Sequence, residues 1–252
     1  MKFLDNDRNW YIMAALALII TSASIYYTQL FFFHRPGETY FYMMQDLAFV
    51  PVQVLIVTIF LDRLLKRHEK KILTKKIFVG IGIFFSETGN NLLKLLFDIT
   101  VNREILTPIF SIKPVWDEAD FRTAGQKAAQ LSIELKHETD VLVEMKNFLN
   151  TNRRFILGMM ENANLAEHDR FTDMLLALSH LSDELRMRDD LASLPASDFK
   201  HISKDISRVY NSILVLWLSY LFHIKSEYPF LYSLAIRSNP FDSSATVIIN
   251  EN

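Results

Sequence analysis

Two polar side chains interrupt the apolar seams of predicted helices in the C-terminal half of the sequence. Glu138 interrupts the first predicted helix, and His223 interrupts the third. If these helices alternate in direction, Glu167 and His168, which start the helix between them, reach the same height. Carboxylate and imidazole groups that face each other inside a bundle form metal sites, or buried pairs that fix register or sense pH. This predicted layer is therefore a candidate metal or pH-sensing site, with a structural polar contact as the alternative.

Three further pairs place a carboxylate and a histidine about one helical turn apart: Glu134 with His137, His180 with Glu184, and His201 with Asp205. Such pairs are common on solvated helix faces, where each contributes little to stability. His180 and His201 also lie off the apolar seams. We therefore expect no cofactor, and we keep a divalent metal ion at the predicted layer as the alternative.

A second group of polar residues lies inside an apolar segment. Tyr42, Asp46 and Gln53 are spaced by four and seven, which places them on one face of a helix. An ionisable residue within a membrane segment is by default a candidate functional site. In a ring of several chains this stripe would line a pore, which predicts a homo-oligomeric ion channel. The structural alternative is that Asp46 lies near headgroup depth and that Gln53 hydrogen-bonds Thr21, Ser22 or Ser24 of the other helix.

A run of basic residues follows that segment. Residues 62–76 carry seven basic and two acidic side chains, whereas the turn before the segment has only Arg35 among Lys and Arg. The positive-inside rule then places both termini in the cytoplasm, and we expect the membrane to be a prokaryotic inner (plasma) membrane. The same side chains are candidates for contact with anionic lipid headgroups: Arg63, Lys66, Arg67, Lys70, Lys71, Lys75 and Lys76.

Two long apolar segments position these groups. Residues 9–34 lack Asp, Glu, Lys and Arg, and residues 40–61 contain only Asp46 among these types. At about 1.5 Å per residue, either segment crosses a hydrocarbon core of about 30 Å. The sequence therefore predicts a transmembrane hairpin over residues 1–66, with helices over about 10–33 and 40–61.

The remaining chain divides into three parts. Residues 67–110 are predicted to form a basic juxtamembrane and interfacial or re-entrant segment, because the apolar stretch 77–97 has a polar middle. Residues 111–228 are predicted to form a cytoplasmic antiparallel helical bundle, and residues 229–252 an irregular tail with a short strand over 246–249. Apolar residues recur at helical spacing over 117–150, 153–162, 165–190 and 198–226. The predicted fold class is an all-α membrane protein.

Composition excludes several functional classes. The chain has 252 residues, no Cys and 50% apolar residues, and residues 111–252 carry 15 basic and 20 acidic side chains. An acidic domain does not favour nucleic-acid binding, which needs a basic face. The sequence contains no phosphate-binding loop, zinc-protease motif or serine-hydrolase elbow, so an enzyme is not favoured.

Three hypotheses for function remain. The first is a non-catalytic, membrane-anchored helical assembly module that associates with the lipid bilayer, with its own copies and with a cytoplasmic protein partner. The second is the channel, which requires a ring of chains because two helices cannot enclose a pore. The third is a metal- or pH-sensing cytoplasmic bundle. Each hypothesis depends on different residues, so substitutions distinguish them.

Overall fold

The computed structural model describes residues 2–33, 35–136, 139–242 and 244–248, and within these ranges the chain is helical with connecting turns and has no β-strand. The predicted all-α class is confirmed. The α-helices of the described chain are α1 (Lys2–Phe33), α2 (Pro36–Phe84), α3 (Asn90–Asp98), α4 (Arg103–Phe110), α5 (Glu118–Ala129), α6 (Thr139–Met160), α7 (Ala163–Ala166), α8 (Asp169–Arg186), α9 (Ala196–Glu227) and α10 (Pro229–Arg237). A π-helical turn, Phe85–Gly89, joins α2 to α3.

The chain forms two compact units, Met1–Glu69 and Lys70–Asn252. α2 runs through the boundary between them because residues 62–76 contain neither Gly nor Pro and are rich in the strong helix formers Leu, Lys, Arg and Glu. The second helix therefore does not end near residue 61 but continues to Phe84. Pro51 lies inside α2 without ending it.

The first unit consists of α1 and the N-terminal part of α2. Every side chain from residue 40 to residue 69 is exposed, and so are most described side chains of α1. Many of the exposed groups are large and apolar, such as Leu18 at 72% and Phe60 at 61% exposure. A hydrogen bond of 3.3 Å from Tyr26 Oη on α1 to Asp46 Oδ2 on α2 links the two helices. Two helices cannot enclose a core, so the apolar surface of this unit faces outward.

α9 is the central helix of the second unit. Its buried side chains cover most of its circumference and include Ile206, Ile213 and Trp217, while a narrower face that contains Arg208 is exposed. Helices α3, α5, α8 and α10 pack against α9, and α6 packs against α8. A helix with apolar side chains on most of its circumference packs among several neighbours, and α9 accordingly lies between them with one face open to solvent. The apolar seams predicted for α8 and α9 form this core, as the full burial of Phe171 illustrates.

The apolar stretch 77–97 packs inside the second unit. Ile81, Phe84 and Leu92 have 0% exposure. The backbone approaches its neighbours closely here, since a Cβ atom at Gly80 would lie 2.5 Å from Leu165 Cδ2. The side chains that suggested an interfacial or re-entrant segment are thus largely covered by protein. The depth of this stretch relative to a membrane stays a prediction.

The expectation of one continuous helix over 117–150 is wrong. α5 ends at Ala129 and α6 begins at Thr139. Between them the backbone pairs with the loop after α3, where Val101 N donates to Glu134 O at 2.8 Å and Lys136 N donates to Ile99 O at 3.0 Å. These tertiary hydrogen bonds replace those that a continuous helix would make. The separate short helix predicted over 153–162 is instead the end of α6.

The tail is more ordered than the sequence predicted. The prediction of an irregular tail from residue 229 is wrong for the first part of that segment, because α10 spans Pro229–Arg237. Phe241 follows α10 and is fully buried, with its ring centroid 5.4 Å from that of Trp217. Residues 244–248 form no strand, and Ile249 lies outside the described residues.

Candidate functional site

The predicted layer is only partly described. Glu138 lies outside the described residues, and Glu167 is exposed. His168 is the N-cap of α8, where its Nδ1 accepts a hydrogen bond of 3.1 Å from Phe171 N. That nitrogen therefore already satisfies a free amide at the start of a helix.

The imidazole of His223 packs on an aromatic ring. It stacks on Phe78 with 3.7 Å between ring centroids, and His168 meets the same phenyl edge-on at 6.5 Å. Burial lowers the pKa of His223, and the nearby carboxylate of Glu227 opposes this shift. The two histidines thus contact one phenyl ring in the described chain. The metal interpretation of the predicted layer stays a prediction.

The polar stripe of α2 has one interhelical contact. Asp46 accepts the hydrogen bond from Tyr26 described above, while Tyr42 and Gln53 are exposed. The structural alternative expected an interhelical bond from Gln53 instead, to Thr21, Ser22 or Ser24, whereas Thr21 and Ser24 donate to the backbone of their own helix. The pore interpretation stays a prediction.

The predicted headgroup contacts occupy one helix. All seven of these basic residues are exposed on α2: Arg63, Lys66, Arg67, Lys70, Lys71, Lys75 and Lys76. Lys66 also pairs with Asp62 at 2.9 Å, a contact one turn apart on the exposed surface. Such an exposed pair contributes little to stability, because water and salt screen it. The ammonium and guanidinium groups are accessible to an external anionic partner.

α8 and α9 bring together two of the His–carboxylate pairs that the sequence placed on separate helices. We call His180, Glu184, His201 and Asp205 the His–carboxylate cluster. Asp205 Oδ2 lies 3.6 Å from His180 Nε2 and 3.5 Å from His201 Nε2. Glu184 Oε1 lies 3.8 Å from His180 Nε2, and Glu184 Oε2 lies 3.7 Å from His201 Nε2. Both imidazoles therefore face both carboxylates.

Arginines hold the carboxylates of the cluster from outside. Arg188 donates to Glu184 Oε2 at 2.6 Å and binds Asp198 through two contacts of 2.7 Å. Arg208 lies 3.1 Å from Asp205 Oδ1. The hydrogen bond from Arg188 lowers the pKa of Glu184, so this carboxyl group is ionised at neutral pH.

Asp205 is the buried member of the cluster, with 3% exposure. Among the described residues, its Oδ2 atom has no hydrogen-bond partner, although both imidazoles lie just beyond that distance. Buried polar atoms in native proteins are almost always paired. This oxygen therefore points toward the two histidines, and a group bound between them would supply the missing partner.

Sequence reasoning found the two pairs but expected them on solvated faces. The missing information was the register of α8 against α9. In a helical hairpin the chains run antiparallel, so His180 faces Asp205 and Glu184 faces His201. The symmetric placement of the two pairs about the turn between α8 and α9 was the available clue.

Comparison with known proteins identifies the family. The model of the N-terminal helical domain of MJ1433 matches residues 5–65, and that of the C-terminal helical domain of "Uncharacterized protein MJ1433" matches residues 73–237. The chain belongs to the MJ1433 family. The MJ1433 protein of Methanocaldococcus jannaschii is 36% identical over 243 residues, which cover 96% of this chain and 98% of the relative. No solved structure gives a significant match.

The two MJ1433 domains correspond to different surfaces. Two helices are long and apolar enough to cross a membrane, one over Met13–Phe32 and one that begins at Pro36, and their most apolar windows have no buried residues. These are the helices of the N-terminal match, with α2 extending beyond it. The C-terminal match contains the buried core and the His–carboxylate cluster.

Proposed function

We propose that the protein is a non-catalytic, membrane-anchored helical assembly module. In this proposal α1 and the first part of α2 form a transmembrane hairpin. The second unit lies in the cytoplasm, where it binds copies of itself or a protein partner. The observation that carries the proposal is the continuous exposed apolar surface of the first unit.

The free energy of hydration makes this surface incompatible with water. Moving one large apolar side chain out of water is favourable by about 1.5–3 kcal/mol, and soluble monomers rarely expose apolar patches beyond a few hundred Å². The hydroxyl groups of α1 also suit lipid, because Thr21, Ser24 and Thr28 each donate to the carbonyl oxygen four residues earlier. Within a bilayer, polar groups need such partners inside the protein.

The distribution of basic residues supports the orientation. The exposed basic residues of α2 follow the predicted second span, whereas Arg35 before it is paired with Glu38 at 2.8 Å. The positive-inside rule favours the side with more Lys and Arg as cytoplasmic. The second unit begins within this run of basic residues, at Lys70, and would share their compartment.

Exposed apolar groups of the second unit support the assembly role. Val79, Ile83, Phe230 and Leu234 are exposed and border an open groove between α2, α9 and α10. Exposed aromatic and apolar residues of this kind are typical of protein-interaction surfaces. Self-association through this groove would cover them.

Cysteine labelling tests the anchor and its orientation. The natural chain has no Cys, so each introduced Cys is the only thiol. Gly37→Cys lies at the start of α2, and Ala192→Cys lies in the exposed turn between α8 and α9. We expect both proteins in alkali-washed membranes, with a membrane-impermeant maleimide labelling Gly37→Cys on intact cells and Ala192→Cys only after lysis. Recovery in the soluble fraction, or the reverse labelling pattern, would refute the proposal.

Native mass in mild detergent tests the assembly state. The module predicts a discrete self-associated species, and substitution of Phe230 by Ser should shift it toward the monomer. A closed ring of four or more chains would instead favour the channel hypothesis. In that case Asp46→Asn should change cation permeation, whereas under the module hypothesis it should leave the assembly and membrane permeability unchanged.

A further inference from the structure

We propose that the His–carboxylate cluster binds a divalent transition-metal ion such as Zn²⁺ between α8 and α9. The ligands would be His180 Nε2, His201 Nε2 and Asp205 Oδ2, with Glu184 completing the set. This site differs from the predicted layer around Glu138 and His223, and it does not depend on the membrane anchor.

The spacing of the donor atoms fits such an ion. Ligand atoms on a tetrahedral Zn²⁺ with bonds of about 2.1 Å lie about 3.4 Å apart. The distances from Asp205 Oδ2 to the imidazole nitrogens, 3.6 and 3.5 Å, are close to this value. The same distances are too long for good N–H···O hydrogen bonds, which favour about 2.9 Å. Each imidazole nitrogen thus lies at a ligand-to-ligand distance from the oxygen, rather than at a hydrogen-bond distance.

The unpartnered oxygen is the second observation. The side chain of Asp205 is only 3% exposed, and within the described chain its Oδ2 atom has no hydrogen-bond partner. A buried carboxylate oxygen without a partner carries a large desolvation cost. An ion bound to this oxygen would remove that cost.

The surrounding charges permit a cation. Glu184, Asp198 and Asp205 supply three carboxylates, and Arg188 and Arg208 supply two guanidinium groups. With neutral imidazoles these five side chains sum to one negative charge. Arg188 binds Glu184 Oε2 and Arg208 binds Asp205 Oδ1, as partners behind metal ligands do. The other two oxygens, Asp205 Oδ2 and Glu184 Oε1, are directed toward His180.

The ligand set is open in the absence of an ion. Among the described residues, no three His, Asp or Glu side chains stand in a ready-made metal site. Glu184 is the most distant member, with contacts of 3.7 and 3.8 Å to the imidazoles. The side chains of His180 and His201 are 50% and 52% exposed, so the rings can rotate and the ion can enter from solvent.

The chemistry of the donors selects the class of metal. Two imidazole nitrogens with carboxylate oxygens suit Zn²⁺ and its neighbours in the first transition row better than Mg²⁺ or Ca²⁺, which prefer oxygen alone. An ion held by both helices would fix the hairpin of α8 and α9. We therefore expect bound metal to stabilise the second unit.

Metal titration of the full-length chain tests the proposal. The protein is purified in mild detergent through a tag without histidine, stripped with chelator and titrated with Co²⁺, whose visible absorption reports four-coordinate binding. We expect one Co²⁺ per chain, displaced by Zn²⁺, and a higher melting temperature with Zn²⁺. His201→Gln and Asp205→Asn should weaken binding by at least about 100-fold, because even the loss of an outer-shell partner costs 10–100-fold.

His68→Gln is the matched control, because His68 is an exposed histidine of α2 that belongs to the first unit, whereas the cluster belongs to the second. This variant should bind Co²⁺ as the unaltered chain does. Circular dichroism verifies that each variant is helical, and if one cluster variant unfolds, the other and the Zn²⁺-dependent melting of the unaltered chain decide. The proposal would be overturned if the unaltered chain bound no ion. It would also be overturned if both cluster variants folded and bound Co²⁺ as tightly as the unaltered chain.

Discussion

The histidines of this chain show that chemistry is set by surroundings rather than by residue type. His168 caps a helix, His223 stacks on a phenyl ring, and His180 and His201 converge on one carboxylate oxygen. All four lie on or beside helices of the second unit. Only the last two face a buried anion, which is why they are the stronger candidates for binding.

The pKa of His223 predicts a dependence of stability on pH. Burial lowers this pKa in the folded chain, whereas the unfolded chain titrates near 6.5. The unfolded state therefore binds more protons between these values, and stability falls as pH drops below about 6.5. His223→Phe keeps an aromatic ring on Phe78 and removes the titration. We expect its melting temperature to fall less than that of the unaltered chain between about pH 7 and pH 5.

Glu227→Gln provides the complementary measurement. This carboxylate raises the pKa of His223, so its removal should lower that pKa further. The melting temperature of Glu227→Gln should then fall more steeply with decreasing pH than that of the unaltered chain. Equal slopes for all three proteins would contradict the assignment to His223.

At the scale of elements, tertiary contacts interrupt one helix and extend another. Apolar periodicity continues through residues 131–135, yet the backbone of residues 134–136 pairs with residues 99–101, and Asn211 Nδ2 donates to Leu131 O at 3.0 Å. α2 instead continues past its predicted end because residues 62–76 contain neither Gly nor Pro. Helix boundaries therefore depend on which backbone partners the fold supplies.

The turn from α2 into α3 contains Gly89, and we expect substitution of this glycine to destabilise the fold. Gly89 has helical dihedral angles, so helix propensity alone favours Ala. A Cβ atom there would lie 2.6 Å from Phe85 Cδ1 and 2.8 Å from Phe84 Cε1, inside the buried core. We expect Gly89→Ala to lower the free energy of unfolding by about 1–3 kcal/mol, as overpacking does.

Gly125→Ala is the matched control in α5. A Cβ atom at this position meets nothing within 4 Å. The substitution should raise the free energy of unfolding by up to about 1 kcal/mol through helix propensity. Chemical denaturation of the full-length chain measures both effects. Similar changes for the two variants would show that packing at Gly89 is not the cause.

At the scale of the whole molecule, one continuous helix belongs to two units with different surroundings. The first unit exposes its apolar residues, whereas the second unit buries many of its own in a core. The residues of α2 that enter the core of the second unit, such as Ile81, lie before the predicted start of the bundle at residue 111. The second unit accordingly begins at Lys70.

This division predicts how fragments behave. A fragment of residues 70–252 keeps the whole core of the second unit and should be helical, with a cooperative thermal transition. A fragment of residues 111–252 lacks fully buried side chains such as Phe84, Leu92 and Leu96. Since each is worth about 1.5–3 kcal/mol and a domain is stable by about 5–15 kcal/mol, the shorter fragment should not fold. Circular dichroism during heating of the two purified fragments distinguishes these outcomes.

The sequence predicted the helical class and much of the core because both follow from local pattern. Phe171, Leu178, Ile206 and Ile213 recur at helical spacing, and all four are buried. Apolar segments with few charged residues likewise indicated, from the sequence alone, the two long apolar helices. Periodicity of this kind reports how one helix face meets its surroundings.

Only the tertiary structure decided which polar groups meet. The distance between Asp205 Oδ2 and His180 Nε2 depends on the register of two antiparallel helices, and a shift of one residue would rotate one partner away. The break between α5 and α6 depends on a contact with the loop after α3. These features join residues far apart in the chain, whereas the apolar seams are written within single helices.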